Sequence, residues 1–312
     1  MQRGAIGAAL VVATVLAPLR AEAFCRTTTA PVPANYDAAR NGCITSGLVL
    51  YWKGACVTYA VNQTAASYIP FETATKVIDQ AFATWATAKC ADTGERAGIA
   101  LYDLGAVECA EVRYNSGSPN QNLIVFRETS WPYNDSANTL GLTTVTFNAD
   151  NGEIYDADME INASEHNLSV SDMVPQNGFD LLSVITHEAG HFLGLAHATS
   201  PTATMFASYK PGTISLRSLT PDDVAGLCAM YPNDKERPVD PKVSASGIVA
   251  ADACSQTPRH GFTTKCEDAQ DDDKGCSIAP ATTAAGEGRR LVPVTGLAAI
   301  AAVVAAALRR RR

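Results

Sequence analysis

Apolar positions recur along this chain with two different periods, and the changes of period mark its elements. Leu48 to Trp52 and Cys56 to Val61 carry the short spacing of strands. Between about Glu72 and Lys89 the period lengthens, and Val77, Ile78, Ala81, Phe82 and Trp85 fall on one helical face. Ile99 to Leu104 and Asn122 to Phe126 return to strand character. Leu140 to Phe147 and Glu153 to Ile161 read as the arms of a hairpin joined through Asp150-Asn151-Gly152, because Asn-Gly is a strong hairpin signal. The second arm alternates strictly, with Tyr155, Ala157, Met159 and Ile161 on one side and Asp156, Asp158, Glu160 and Asn162 on the other. That alternation predicts a half-buried strand with a solvated acidic face.

Two more helices follow. One runs from about Asp180 to Ala196; the other opens at Thr220-Pro221-Asp222-Asp223, with threonine as N-cap, proline at N1 and an acidic first turn. Its apolar stripe is Val224, Leu227, Cys228 and Tyr231. The pattern predicts one α+β domain over residues 48–232, preceded by an extension over 24–47. After Pro232 the composition shifts to charge, proline and serine, so residues 233–275 read as an extended stalk with one disulfide loop.

Of 312 residues, 24 are basic and 32 acidic. Eight of the basic residues lie at the two ends, which leaves 16 against 31 between Phe24 and Gly288, a formal charge of −15. A body that acidic repels phosphate backbones, which excludes nucleic acid as a partner. The ends have their own grammar. Arg3, the apolar run Ala5 to Leu16 and Ala21-Glu22-Ala23 have the layout of a signal peptide over residues 1–23. Leu291 to Leu308 carries no charge and four arginines follow it, as for a membrane-contacting segment with its C-terminus held inside. With Gly275-Cys276-Ser277 upstream, residues 276–312 resemble the myxobacterial C-terminal sorting signal, in which Cys276 would be the processing point. Both ends imply an exported or surface-displayed body. Eight cysteines remain besides Cys276, an even number that suits disulfides. Proximity along the chain suggests Cys90–Cys109 and Cys254–Cys266.

The chemistry is concentrated in His187-Glu188-Ala189-Gly190-His191-Phe192-Leu193-Gly194-Leu195-Ala196-His197. On a helix His187 and His191 lie one turn apart on one face, so both imidazoles can reach one metal ion. Glu188 can orient a water at the metal and take its proton. Gly194 permits a sharp exit that returns His197 as third ligand. Three protein ligands suit a catalytic zinc rather than a closed structural one.

These residues match the H-E-x-x-H-x-x-G-x-x-H signature of the metzincin zinc peptidases. Thr204-Met205-Phe206 matches their methionine turn, Ala81-Phe82-Ala83-Thr84-Trp85 resembles the matrixin A-F-x-x-W element, and Leu219-Thr220-Pro221-Asp222-Asp223 is similar to the matrixin segment that opens the last helix. The resemblance, over residues 48–232, implies a zincin-like fold: a twisted mixed sheet, an active-site helix and a C-terminal helix. It implies one catalytic Zn2+ on His187, His191 and His197, with Glu188 as general base, Gly194 and Met205 shaping the site, and protein or peptide as substrate. It implies further that the edge strand around Leu140 to Thr146 binds the peptide, and that the segment from Met205 to about Ile214 walls the pocket. Asp156, Asp158 and Glu160 are candidate Ca2+ ligands, with a plain solvated face as the favoured alternative. Tyr209 is a candidate for substrate contact. A monomer is expected. A non-proteolytic surface adhesion protein and a cell-wall crosslink hydrolase are the rival functions.

Overall fold

The computed structural model describes residues 23–33, 35–266 and the strand Arg289–Thr295. In chain order the elements are β1 (Cys25–Arg26), α1 (Ala38–Asn41), β2 (Cys56–Asn62), α2 (Phe71–Ala86), β3 (Ala100–Val107), β4 (Leu123–Arg127), β5 (Gly141–Asn148) and β6 (Ile154–Asn162). Then come β7 (Leu168–Ser169), β8 (Phe179–Asp180), α3 (Leu181–Phe192), β9 (Leu195–Ala196), α4 (Pro221–Met230), β10 (Glu236–Pro238), β11 (Ile248–Ala250) and β12 (Arg289–Thr295). The main sheet has the order β12-β5-β6-β4-β2-β3. Pairs among β3, β2, β4 and β6 are parallel, whereas β5 runs antiparallel to β6 and to β12. The fold is the expected α+β one with a mixed sheet.

The long helices α2 and α3 pack against each other and close one core with the sheet. The α2 face read from spacing is right at Ile78, Ala81, Phe82 and Trp85, all buried. Trp85 donates from Nε1 to Thr186 O of α3 at 2.8 Å, which satisfies its one polar atom inside the core. Every residue of α3 is buried, so its sequence lacks a polar stripe and its periodicity is weak. The helix ends at Phe192, short of Ala196, because Gly194 takes φ +97°. Thr220 and Asp223 form a capping box at α4, as the sequence of its first turn indicates. Leu48 to Trp52 forms no regular strand; it is tied by isolated bridges from Val49 to Thr28 and from Tyr51 to Glu153.

Three expectations are corrected. The Asp156, Asp158, Glu160 and Asn162 face of β6 is buried, each residue at most 2 % exposed, because the loops on that side of the sheet cover it. Glu160 there pairs with Arg127 at 2.5 Å and accepts from the Tyr133 hydroxyl, while Asn162 donates to Ser136 O and Thr139 O. Residues 233–266 are no loose stalk. β10 and β11 pair as a hairpin, and the Arg237 guanidinium, fully buried, donates to Trp52 O, Gly54 O and Gly98 O. The disulfides are Cys25–Cys43, Cys56–Cys254, Cys90–Cys228 and Cys109–Cys266, so neither Cys90–Cys109 nor Cys254–Cys266 forms. Only Cys25–Cys43 is local in sequence among these four; Cys56–Cys254 and Cys109–Cys266 staple residues 233–266 to β2 and to the segment that follows β3.

Residues 1–22 and Cys276 lie outside the described residues. Of the apolar run 291–308, only 291–295 is described, and it continues an extended edge strand from Arg289. Among the described residues no helix is long and apolar enough to cross a membrane.

Candidate metal centre

α3 carries His187 and His191 on adjacent turns, and the left-handed turn at Gly194 brings His197 round to face them. Ring centroids are 4.8 Å apart for His187 and His191, and 4.8 Å for His191 and His197. One ligand atom from each histidine lies within 4.8 Å of the others.

The backbone fixes which nitrogens face inward. His187 Nδ1 is 2.7 Å from Thr204 O and His191 Nδ1 is 2.9 Å from Leu195 O. A carbonyl only accepts, so both Nδ1 atoms carry the proton and both Nε2 atoms present lone pairs. Those two Nε2 atoms sit 3.1 Å apart with no proton to share, and His197 Nε2 is buried without a hydrogen-bond partner. Three lone pairs converging on one point would repel one another unless a cation sits among them. Burial and the mutual proximity of the rings push His187 down to about 3, and His191 and His197 well below the ordinary imidazole value. The ligands are therefore neutral near pH 7, as a zinc site requires. The donor set fits zinc: three imidazoles, the tautomers of two of them fixed by backbone carbonyls.

Glu188 is wholly buried and its Oε2 accepts from the Thr143 hydroxyl of β5 at 2.8 Å. A Cβ on Gly141, at the start of β5, would lie 2.9 Å from Glu188 Cγ. β5 thus passes against the acidic group.

Met205 packs beneath α3. A Cβ at Gly190 would lie 2.2 Å from Met205 Sδ and 2.8 Å from Trp85 Cζ2, so the glycine lets methionine and tryptophan close against the helix next to His191. The turn is held by Asp223, whose carboxylate accepts from Thr204 N at 2.9 Å, Met205 N at 3.0 Å and Thr220 N at 2.8 Å. The carbonyl that fixes the His187 tautomer is therefore placed by the N-terminus of α4. At the other end, Asp180 caps α3 through Ser183 N and is gripped by Arg217 at 2.7 and 2.8 Å.

The sequence thus located His187, Glu188, His191, Gly194, His197 and Met205, and the fold brings all six to one place. It missed Thr143, Gly141, Gly190 and the link from Asp223 to the methionine turn. A threonine within a β-rich run carries no local signal of such a role. Asp156, Asp158 and Glu160 do not form a comparable cage: Glu160 is engaged as above, and Asp158 accepts from Leu123 N at 2.8 Å. Tyr209 is buried and its hydroxyl donates to Thr213 O.

Among known proteins, the matrixin family model, Peptidase_M10, matches residues 51–232, more than half of the chain. Metalloendoproteinase 1-MMP of Arabidopsis thaliana is 30% identical over 188 residues, 60% of this chain and 46% of that protein. Human matrix metalloproteinase-20 is 29% identical over 185 residues, 58% of this chain and 32% of that protein. Rat matrilysin is 42% identical over 55 residues, 18% of this chain and 21% of its own length. The chain therefore spans less than half the length of these relatives, and the stretch that the family model matches holds the histidines, the methionine turn and the long helices. On that match and on the site described above, this chain belongs to the matrixin family.

Proposed function

We propose that the protein is a zinc-dependent endopeptidase that hydrolyses peptide bonds of protein substrates outside the cytoplasm. The observation that carries the reading is the convergence of three neutral imidazole nitrogens beside a buried carboxylate that a β5 hydroxyl orients. When bound by His187, His191 and His197, zinc supplies Lewis acidity toward a carbonyl and lowers the pKa of water. The chain's own residues do the rest. Glu188 takes a proton from the attacking water and hands it to the departing amine. Thr143 holds the carboxylate in place, and the outer edge of β5, which β12 covers in this structure, aligns an extended peptide beside it when that strand gives way. The acidic body leaves nucleic acid without a surface to bind.

Export rests on the layout of residues 1–23 and on four disulfides, which persist in oxidising compartments. Tail processing at Cys276, membrane contact through the tail and a monomeric state belong to the same reading. Retention of Glu188 and its Thr143 partner favours catalysis over a purely adhesive role.

The test is casein cleavage by the disulfide-bonded chain beside Glu188→Ala, with zinc content measured for both. Loss of cleavage at one bound zinc per chain supports the reading. Equal inertness of both zinc-loaded proteins sinks it.

A further inference from the structure

We propose that the segment Arg289–Thr295 is a built-in competitor for the peptide-binding edge of β5. The inference rests on the peptidase reading above, and deepens it by naming what occupies the site in the intact chain.

β12 pairs with β5 over seven positions, from Arg289 opposite Asn148 to Thr295 opposite Leu142. Hydrogen-bond phase fixes which β5 groups face it. Ala157 of β6 lies opposite Val145, but its N–H donates to Asn122 Oδ1 on the β4 side, at 3.1 Å. The Val145–Ala157 pair therefore exchanges no hydrogen bonds, and the N–H and C=O of Val145 point away from β6. By alternation those of Thr143 do the same. Both residues thus offer a donor and an acceptor at the outer edge, and their partners across it are Val292 and Val294. Pro293, which has no N–H to give, sits opposite Thr144, whose polar groups face β6. The proline falls where the pairing needs no donor, so the register suits both partners.

The position matters because of what else Thr143 does. Its side chain holds Glu188, and its backbone edge is taken by Val294. A peptide laid along β5 to reach Glu188 would need the same N–H and C=O groups. A bound peptide and β12 are mutually exclusive, which makes the segment competitive in kind: it raises the apparent KM for an external substrate and leaves kcat alone. As an intramolecular strand it also works at high effective concentration.

The experiment compares the full chain with a full chain carrying Val292→Pro and Val294→Pro, which removes the two N–H donors facing β5. Amide hydrogen exchange is read at Thr143 and Val145, with Met159 and Ala189 as reporters of the intact fold. The expected result is protection of Thr143 and Val145 in the native sequence and its loss in the variant, with Met159 and Ala189 still protected. Casein cleavage should show KM falling about tenfold in the variant, kcat unchanged. Equal exchange at Thr143 and Val145 in both chains, or equal KM in two active chains, overturns the inference. If neither chain cleaves casein, the peptidase reading fails, and exchange alone then decides whether β12 holds the edge.

Discussion

Thr143 shows how one hydroxyl links two parts of a site. Its Oγ1 donates to Glu188 Oε2 at 2.8 Å inside the core, where the carboxylate would otherwise swing among rotamers. Thr143→Val keeps the shape and removes the donor. The expected outcome is a fall of about tenfold in kcat/KM with zinc content unchanged, restored by Thr143→Ser; steady-state kinetics with metal analysis checks both. Asp223 works at one remove. Asp223→Ala releases the N–H groups of Thr204 and Met205, and with them the carbonyl that fixes His187. Since it strips a buried, multiply bonded carboxylate, thermal denaturation should register a loss of about 3 kcal/mol, together with weaker zinc retention. The metal motif was legible in sequence because its residues crowd into eleven positions of one helix and turn. Thr143 and Asp223 were not, because each meets the site only through tertiary folding.

At the scale of an element, β6 is the instructive case. Its alternation of acidic and apolar residues was read correctly as a period of two, and the inference that the acidic side faces water was wrong. Period reports which residues share a face, and says nothing of what covers that face. Here Asp156 and Asp158 are held together out of water: burial, then the Asp158 charge, pushes the Asp156 carboxyl well up. Burial, with the Glu160 charge adding, pushes Asp158 up to about 8, although its hydrogen bonds to Leu123 N and Asp156 oppose this. The folded state thus holds a proton that the unfolded chain releases near pH ~4. Native binding exceeds unfolded binding between those values, so this pair's contribution to stability falls as pH rises through that window. Asp156→Asn removes the charge conflict. Melting temperatures at pH 5 and pH 7.5 should show the variant gaining on the native sequence as pH rises; an advantage that shrinks with pH would refute the assignment. Helix α3 gave the opposite lesson: wholly buried, it has no solvated stripe, and the sequence reading, right at the Asp180 cap, carried the helix on to Ala196, past the end at Phe192 that the Gly194 turn imposes.

Over the whole molecule, the segment after α4 is a structural part of the domain. Composition suggested a stalk because Arg, Lys, Asp, Pro and Ser dominate residues 233–246. The structure buries the one arginine that counts. Arg237 has backbone carbonyls as partners and lies over the Tyr231 ring at 5.0 Å, so its charge is met by three carbonyl dipoles from two separate segments. Arg237→Ala should cost about 3 kcal/mol in denaturant unfolding, since it leaves the carbonyls of Trp52, Gly54 and Gly98 buried without a donor. The disulfide network binds the same region at a larger span, with Cys56–Cys254 and Cys109–Cys266 closing separations of 198 and 157 residues.

Those separations also set a schedule for assembly. A chain is made from its N-terminus, so Cys56, Cys90 and Cys109 exist as thiols long before Cys228, Cys254 and Cys266 have emerged. Loop closure favours near neighbours, and Cys90 and Cys109 are only nineteen positions apart, against 138 for the native Cys90–Cys228 pair. Cys25 and Cys43 are as close and pair natively, but a Cys90–Cys109 bridge formed at this stage is the wrong one, and it must be surrendered by thiol–disulfide exchange for the distant Cys90–Cys228 link. Folding of this protein therefore depends on an isomerising environment as well as an oxidising one, and its yield should rise with a shuffling redox couple more than with oxidant alone.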